Sequence, residues 1–333
     1  MIGGFALYRF LVQWVYMNDA LYQAALRALV FFDIFDHPLT DRELFEYLHG
    51  PIPNTRLNFS QFLAQTEVFP DSVMVRTQGL WHLRGREELV SLRTERSVSY
   101  GIKNRILIRA VRVLSYVPFV RAVFVCNTLA FSVADRTSDI DVLIIVKGGR
   151  MWTARLMTTI LMSVCGLRRT KKRIQDRICL SFYLADRALN IMKFRIPDDI
   201  YMSFWLRTLI PVYDPDHLRD SILRANQELL EPFLPHARYT HPMLRLDRSH
   251  ELGKRTSVRI VEWVLQSRVG DRGESFVRAI QRKKIFRNRH SLVHAKDTRV
   301  VVNDSVLKFH ENDRRVLYRD TWKQRMSEVN ESL

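Results

Sequence analysis

The sequence predicts an α+β protein built in three parts, and three observations predict it. Helix-forming stretches followed by a hairpin signal occupy residues 1–95. Apolar strand-like runs alternate with a Leu/Met/Ile-rich helix over residues 96–197. From residue 198 to 333 the pattern is helical, punctuated by prolines. Alternation of strands and helices in the middle part argues for a sheet covered by helices.

The elements follow in order. Residues 20–32 place apolar side chains on more than one helix face, so that helix is expected to be buried on several sides. Asp36-His37-Pro38-Leu39-Thr40 reads as a turn, after which Thr40 and Glu43 form a capping box for a helix from Asp41 to Leu48. A third helix is expected over Asn58–Phe69. Strands at Ser72–Arg76 and Leu80–Leu83 then flank Thr77-Gln78-Gly79, a hairpin signal. Three helices and a hairpin are the element order of a winged helix-turn-helix. Glu87–Leu114 is a helical connector, ended before Pro118. Val120–Cys126, Ile140–Val146 and Ile178–Ala185 read as buried strands, with a helix over Arg150–Leu167. Val300–Val302 fits either a short strand or a helix edge.

Composition narrows the function. Of the 333 residues, 47% are hydrophobic and the net charge is +17. Residues 1–100 carry nine Lys and Arg against eleven Asp and Glu, so the basic excess lies after residue 100. That asymmetry suits a polyanionic partner for the middle and C-terminal parts. It argues against DNA binding by the N-terminal part alone, whose candidate recognition helix, Asn58–Phe69, holds no Lys or Arg. Three cysteines without CxxC spacing make neither a disulfide framework nor a zinc site. The uncharged run Leu156–Leu167 is too short to span a bilayer. The apolar N-terminus lacks a basic start and a cleavage site, so a cytoplasmic protein without a membrane partner is expected.

The chemistry concentrates in Ser138-Asp139-Ile140-Asp141, which opens an apolar strand. Strand side chains alternate, so Asp139 and Asp141 project from one face, roughly 6–7 Å apart at Cα. Two carboxylates so placed make a hard-oxygen site for Mg²⁺ or Mn²⁺. Such ions neutralise a triphosphate and orient attack on it.

With the preceding Asn127 and Thr128, this segment resembles the DNA polymerase beta-like nucleotidyltransferase superfamily. The superfamily pattern is Gly-Ser at a helix start, then about ten residues, then Ser-Asp-x-Asp entering a strand. Here Ser138-Asp139-Ile140-Asp141 matches, Thr128 stands at the serine position and Asn127 at the glycine position. Further pieces resemble bacterial nucleotidyltransferase-domain proteins with an N-terminal winged-helix-like region and a helical C-terminal part. These are Phe35–Thr40, Gly149–Arg155, Asp176–Leu180, Tyr213–Asp216 and Lys308–Asp313, so that the resemblance covers most of residues 20–315. It implies a small mixed sheet and transfer of a nucleotidyl group from an NTP to an unidentified acceptor. Asp139 and Asp141 would be the catalytic metal ligands, with Asn127, Thr128 and Ser138 lining the nucleotide site. The superfamily's third carboxylate lies on the next strand. Ile178–Ala185 contains none, leaving Asp176 and Asp186 at its two ends as candidates. The alternative is a catalytically degenerate member acting in nucleic-acid binding or regulation.

Two basic runs complete the reading. Arg168, Arg169, Lys171, Lys172 and Arg173 precede the third strand and suit an anionic acceptor such as RNA, or else form a solvated loop. Arg282–Arg289, with Phe286 inside it, could extend the same surface. His310 is read as a hydrogen-bonded structural residue.

Overall fold

The computed structural model describes residues 19–331, apart from 53, 236, 238–255, 289–290 and 296. The apolar stretch 1–18 and the end of the second basic run at Arg289 lie outside the described residues. Residues 19–33 form helix α1, and its Ala25, Leu26, Ala28, Val30, Phe31 and Phe32 are all buried. This helix is apolar on several faces because it is enclosed on several faces.

Strand β1 (Leu39–Thr40) and helix α2 (Asp41–Tyr47) follow. The Thr40 side chain accepts from Glu43 N, while Glu43 accepts from Thr40 N, closing the expected capping box. Helix α3 (Phe59–Thr66) carries a second capping box, between Asn58 and Gln61. Strands β2 (Met74–Thr77) and β3 (Leu80–Leu83) pair through the two-residue turn Gln78-Gly79. Both turn residues have positive φ, at 51° and 79°, the conformation that matches the right-handed twist of a hairpin. β1 adds to β3, giving a three-stranded antiparallel sheet.

The long helix α4 (Leu89–Leu114) leads to a six-stranded mixed sheet, in the order β7-β4-β5-β6-β9-β8. Its strands are β4 (Val120–Val125), β5 (Ile140–Val146), β6 (Ile178–Ala185), β7 (Ile210–Tyr213), β8 (Val300–Val302) and β9 (Val306–Phe309). Only the β5–β6 pair is parallel, joined by α6 (Met151–Val164); the other neighbours are antiparallel. α5 (Asn127–Ala130) is a single turn between β4 and β5. α7 (Ile200–Arg207), α8 (Leu218–Ala225), α9 (Thr256–Leu265), α10 (Arg268–Phe286) and α11 (Arg315–Glu331) complete eleven helices among the described residues.

The region expected to be helical after residue 198 therefore also contributes three strands to the sheet, Val300–Val302 proving the strand of its two readings. Short apolar segments such as Ile210–Tyr213 carry no periodicity that separates strand from helix, and neighbouring strands decide the outcome. One continuous hydrophobic core runs from α1 into the large sheet. Phe31 stacks on Phe204 of α7, with ring centroids 4.0 Å apart. No helix of the described residues is long and apolar enough to cross a membrane.

Candidate metal centre

The backbone before β5 is locked from two directions. Asp135 Oδ1 accepts from the backbone N–H groups of Thr137 (2.8 Å) and Ser138 (2.7 Å). From α4, the fully buried Lys103 donates Nζ to the Ser138 carbonyl (2.6 Å) and to Asp176 (2.8 Å). Asp139 and Asp141 are thereby presented at the start of β5, at the wall of a cavity of about 580 Å³. That volume falls within the range of small-ligand sites.

The parallel pairing of β5 with β6 places Cys179 opposite Asp141. One ligand atom from each of Asp139, Asp141 and Cys179 lies within 4.8 Å of the others. Neither carboxylate expected as the third member joins them. Asp176 pairs with Lys103, and Asp186, at the far end of β6, accepts from Gly148 N (2.9 Å). Strand register, which a sequence does not display, chose the thiol instead.

Asn127 occupies a left-handed conformation, with φ of 56°. Glycine adopts this region freely, and Asn is among the few other residues that do so. Its side chain acts where glycine has none. Nδ2 donates to Asp141 Oδ2 (2.9 Å), and Oδ1 accepts from the Tyr201 hydroxyl (3.2 Å). Thr128 also lines the cavity. Ser138 does not: its hydroxyl donates to the Asp135 carbonyl (2.9 Å), so it shapes the loop.

Arg169 is the member of the 168–173 run that reaches the cavity. Its Nη1 lies 2.8 Å from Asp139 Oδ2 and donates to Cys179 Sγ (3.4 Å). The contact with Asp139 is an ion pair without hydrogen-bond angles, and that buried oxygen accepts no hydrogen bond. Burial, and then the charge of Asp139, raise the Asp141 carboxyl to about 6. Burial, and then the charge of Asp141, push the Cys179 thiol up to about 12.

The opposite wall comes from β9 and the start of α11. Arg315 pairs with Asp199 (2.9 Å) and Asp313 (2.9 Å), and Lys308 with Asp313 (3.1 Å), a buried network that is internally compensated. His310 lines the cavity with its ring edge-to-face on Phe182. Burial, reinforced by the Lys308 charge, holds His310 down at about 3, so the ring is neutral at pH 7. Sequence reasoning missed Cys179, the inward turn of Arg169 and the Tyr201 contact. Two segments carried a usable signal, Asp176–Leu180 with Cys179 inside it and Lys308–Asp313, since both belong to the resemblance and the fold brings both to the same cavity.

The donor set fits a divalent cation. Two carboxylates supply oxygen ligands, one with an oxygen free of hydrogen bonds, and a thiol stands within reach as a softer third donor. No protein-family model matches the chain, no curated protein matches it, and no solved structure matches it.

Proposed function

We propose that this chain is a nucleotidyltransferase-fold protein that binds an NTP with Mg²⁺ or Mn²⁺ and transfers its nucleotidyl group to an acceptor. The observation that carries this reading is the Asp139–Asp141 pair at a cavity of nucleotide size, oriented by Asn127. The resemblance in sequence supports it. So does the order of helices and hairpin in the first 95 residues, which suits a winged-helix-like region beside the transferase core.

The cation would be held by Asp139 and Asp141, where it would supply charge neutralisation for the triphosphate. Asn127 keeps one Asp141 oxygen in place and thereby fixes the carboxylate plane. Thr128 offers a hydroxyl to phosphate oxygens at the cavity wall. Arg169 balances the acid pair before cation and nucleotide arrive. Exposed basic residues of the 168–173 run suit an anionic acceptor such as RNA.

A second reading has its own observation. Cys179 stands where a third carboxylate would serve, and Arg169 contacts Asp139, as befits a degenerate site kept for nucleotide-dependent regulation or nucleic-acid binding.

Calorimetry with each of the four NTPs, with and without Mg²⁺ or Mn²⁺, tests the proposal. Cation-dependent binding is expected, and Asp139→Asn with Asp141→Asn should abolish its cation-dependent part while leaving the fold intact. Absence of nucleotide binding near millimolar concentration would overturn the transferase reading and leave the degenerate one, as a nucleic-acid-binding protein. Binding without turnover on any nucleic-acid or small-molecule acceptor would favour the degenerate one.

A further inference from the structure

Helix α9 buries its one acid and exposes much of its apolar surface. Its acid, Glu262, is buried and accepts from Arg121 Nη1 (2.7 Å) and Nη2 (3.1 Å) and from Phe119 N (2.6 Å). Its tryptophan, Trp263, is 78% exposed. Ile260, Val261 and Val264 of the same helix are also exposed. A helix this apolar outside its buried face ordinarily lies against something.

Exposed apolar side chains also occur on the neighbouring helices α6 and α10. Ile160 and Leu161 of α6 line one groove with Val258 and Val261 of α9, and Val164 on the next turn of α6 is 80% exposed. On α10, Val269 and Phe276 are 77% and 67% exposed, and Ile280 extends that stripe. At about 100° per residue, Arg272, Lys283, Lys284 and Arg287 fall within roughly 60° of it. These four are exposed, and none pairs with an acid among the described residues.

We propose that α6, α9 and α10 form a peripheral docking surface for an anionic lipid membrane. Trp263 and Phe276 would enter the boundary between headgroups and acyl chains, with the four basic residues on lipid phosphates. Exposed aromatic and aliphatic side chains beside unpaired Lys and Arg are the composition such an interface requires. A second copy of the chain would bring identical basic flanks together, and RNA gains little from exposed Val and Ile. The expectation of no membrane partner rests on the lack of a spanning run, which a peripheral face does not need.

Co-sedimentation of the full chain with vesicles tests this. Vesicles of phosphatidylcholine alone are compared with vesicles containing phosphatidylserine as minor component. Binding to the anionic vesicles is expected to be much the stronger and to weaken with salt. Trp263→Ser with Phe276→Ser should lower it at least tenfold, while Lys283→Glu with Lys284→Glu should remove the phosphatidylserine preference, by about fivefold or more per residue. All four positions are exposed, so both variants should keep the wild-type thermal transition. Three results would overturn the proposal. These are no binding to anionic vesicles, undiminished binding by the apolar variant, or loss in that variant of self-association or poly(U) binding in place of vesicle binding.

Discussion

Asp141 carries a cost that a bound cation would relieve. Burial, and then the Asp139 charge, raise its carboxyl from the ordinary 3.8 to about 6. Between those values the folded chain retains a proton that the unfolded chain has released. The stability tied to that proton is fully present below the ordinary value and is lost as pH rises through about 6. Asp141→Asn removes the cost, so at pH 8 without divalent cation it is expected to melt above wild type, by ~2–4 °C for each kcal/mol relieved. Below pH 4 the two should converge. A lower Tm for the variant at pH 8 would show instead that the charged carboxylate is fully compensated by Asn127 and Arg169. Asn127 itself was legible in the sequence as the place where glycine is expected, and its φ of 56° gives the reason. Its second role, donating to Asp141, was not legible, because it depends on where β5 lies relative to α5.

At the scale of elements, the site is held by α4 through one lysine. Lys103 has no exposed side-chain surface and joins the Ser138 carbonyl to Asp176, the turn before β5 to the turn before β6. Lys103→Met keeps most of the volume but strips two charge-assisted hydrogen bonds and strands a partly buried carboxylate. The expected loss is about 2–3 kcal/mol in urea unfolding, with cation affinity weakened further because Asp139 loses its fixed approach. Lys103→Met combined with Asp176→Leu should recover much of the stability without the affinity. If the single variant is as stable as wild type, the turn is held by Asp135 alone. The hairpin, the Thr40–Glu43 capping box and β4 to β6 were legible because each rests on local chemistry: a Gly-containing turn, a cap three residues from its partner, an apolar run. β7 and β9 were hidden, and β8 was open between strand and helix edge, because segments of three or four residues become strands only when a sheet edge awaits them.

For the whole molecule, the question is what the basic excess meets. The N-terminal hundred residues carry nine Lys and Arg against eleven acids, and α3 presents no basic residue, so tight duplex-DNA binding by that part alone is not expected. The 168–173 run divides in the fold. Arg169 turns inward to Asp139 and Cys179, whereas Lys171, Lys172 and Arg173 are exposed and pair with no acid among the described residues. Those three are the exposed members without an acid partner among the described residues, while Arg168 is half-buried. If they contact a single-stranded RNA acceptor, each neutralised phosphate steepens the dependence of log K on log salt by about 0.7. Replacing the three by Ala is therefore expected to flatten that slope by about 2 in a salt titration of oligonucleotide binding, across sequences and without change in cation or nucleotide affinity. Arg169→Ala should do the reverse, flattening the slope by less than about 1 while tightening divalent-cation binding, since Asp139 is released from its ion pair. An unchanged slope in the triple variant would make the run a solvated loop beside the sheet, and the acceptor would then be a small molecule whose contacts lie inside the cavity, with Thr128, Tyr318 and the neutral His310 as the groups positioned to meet it.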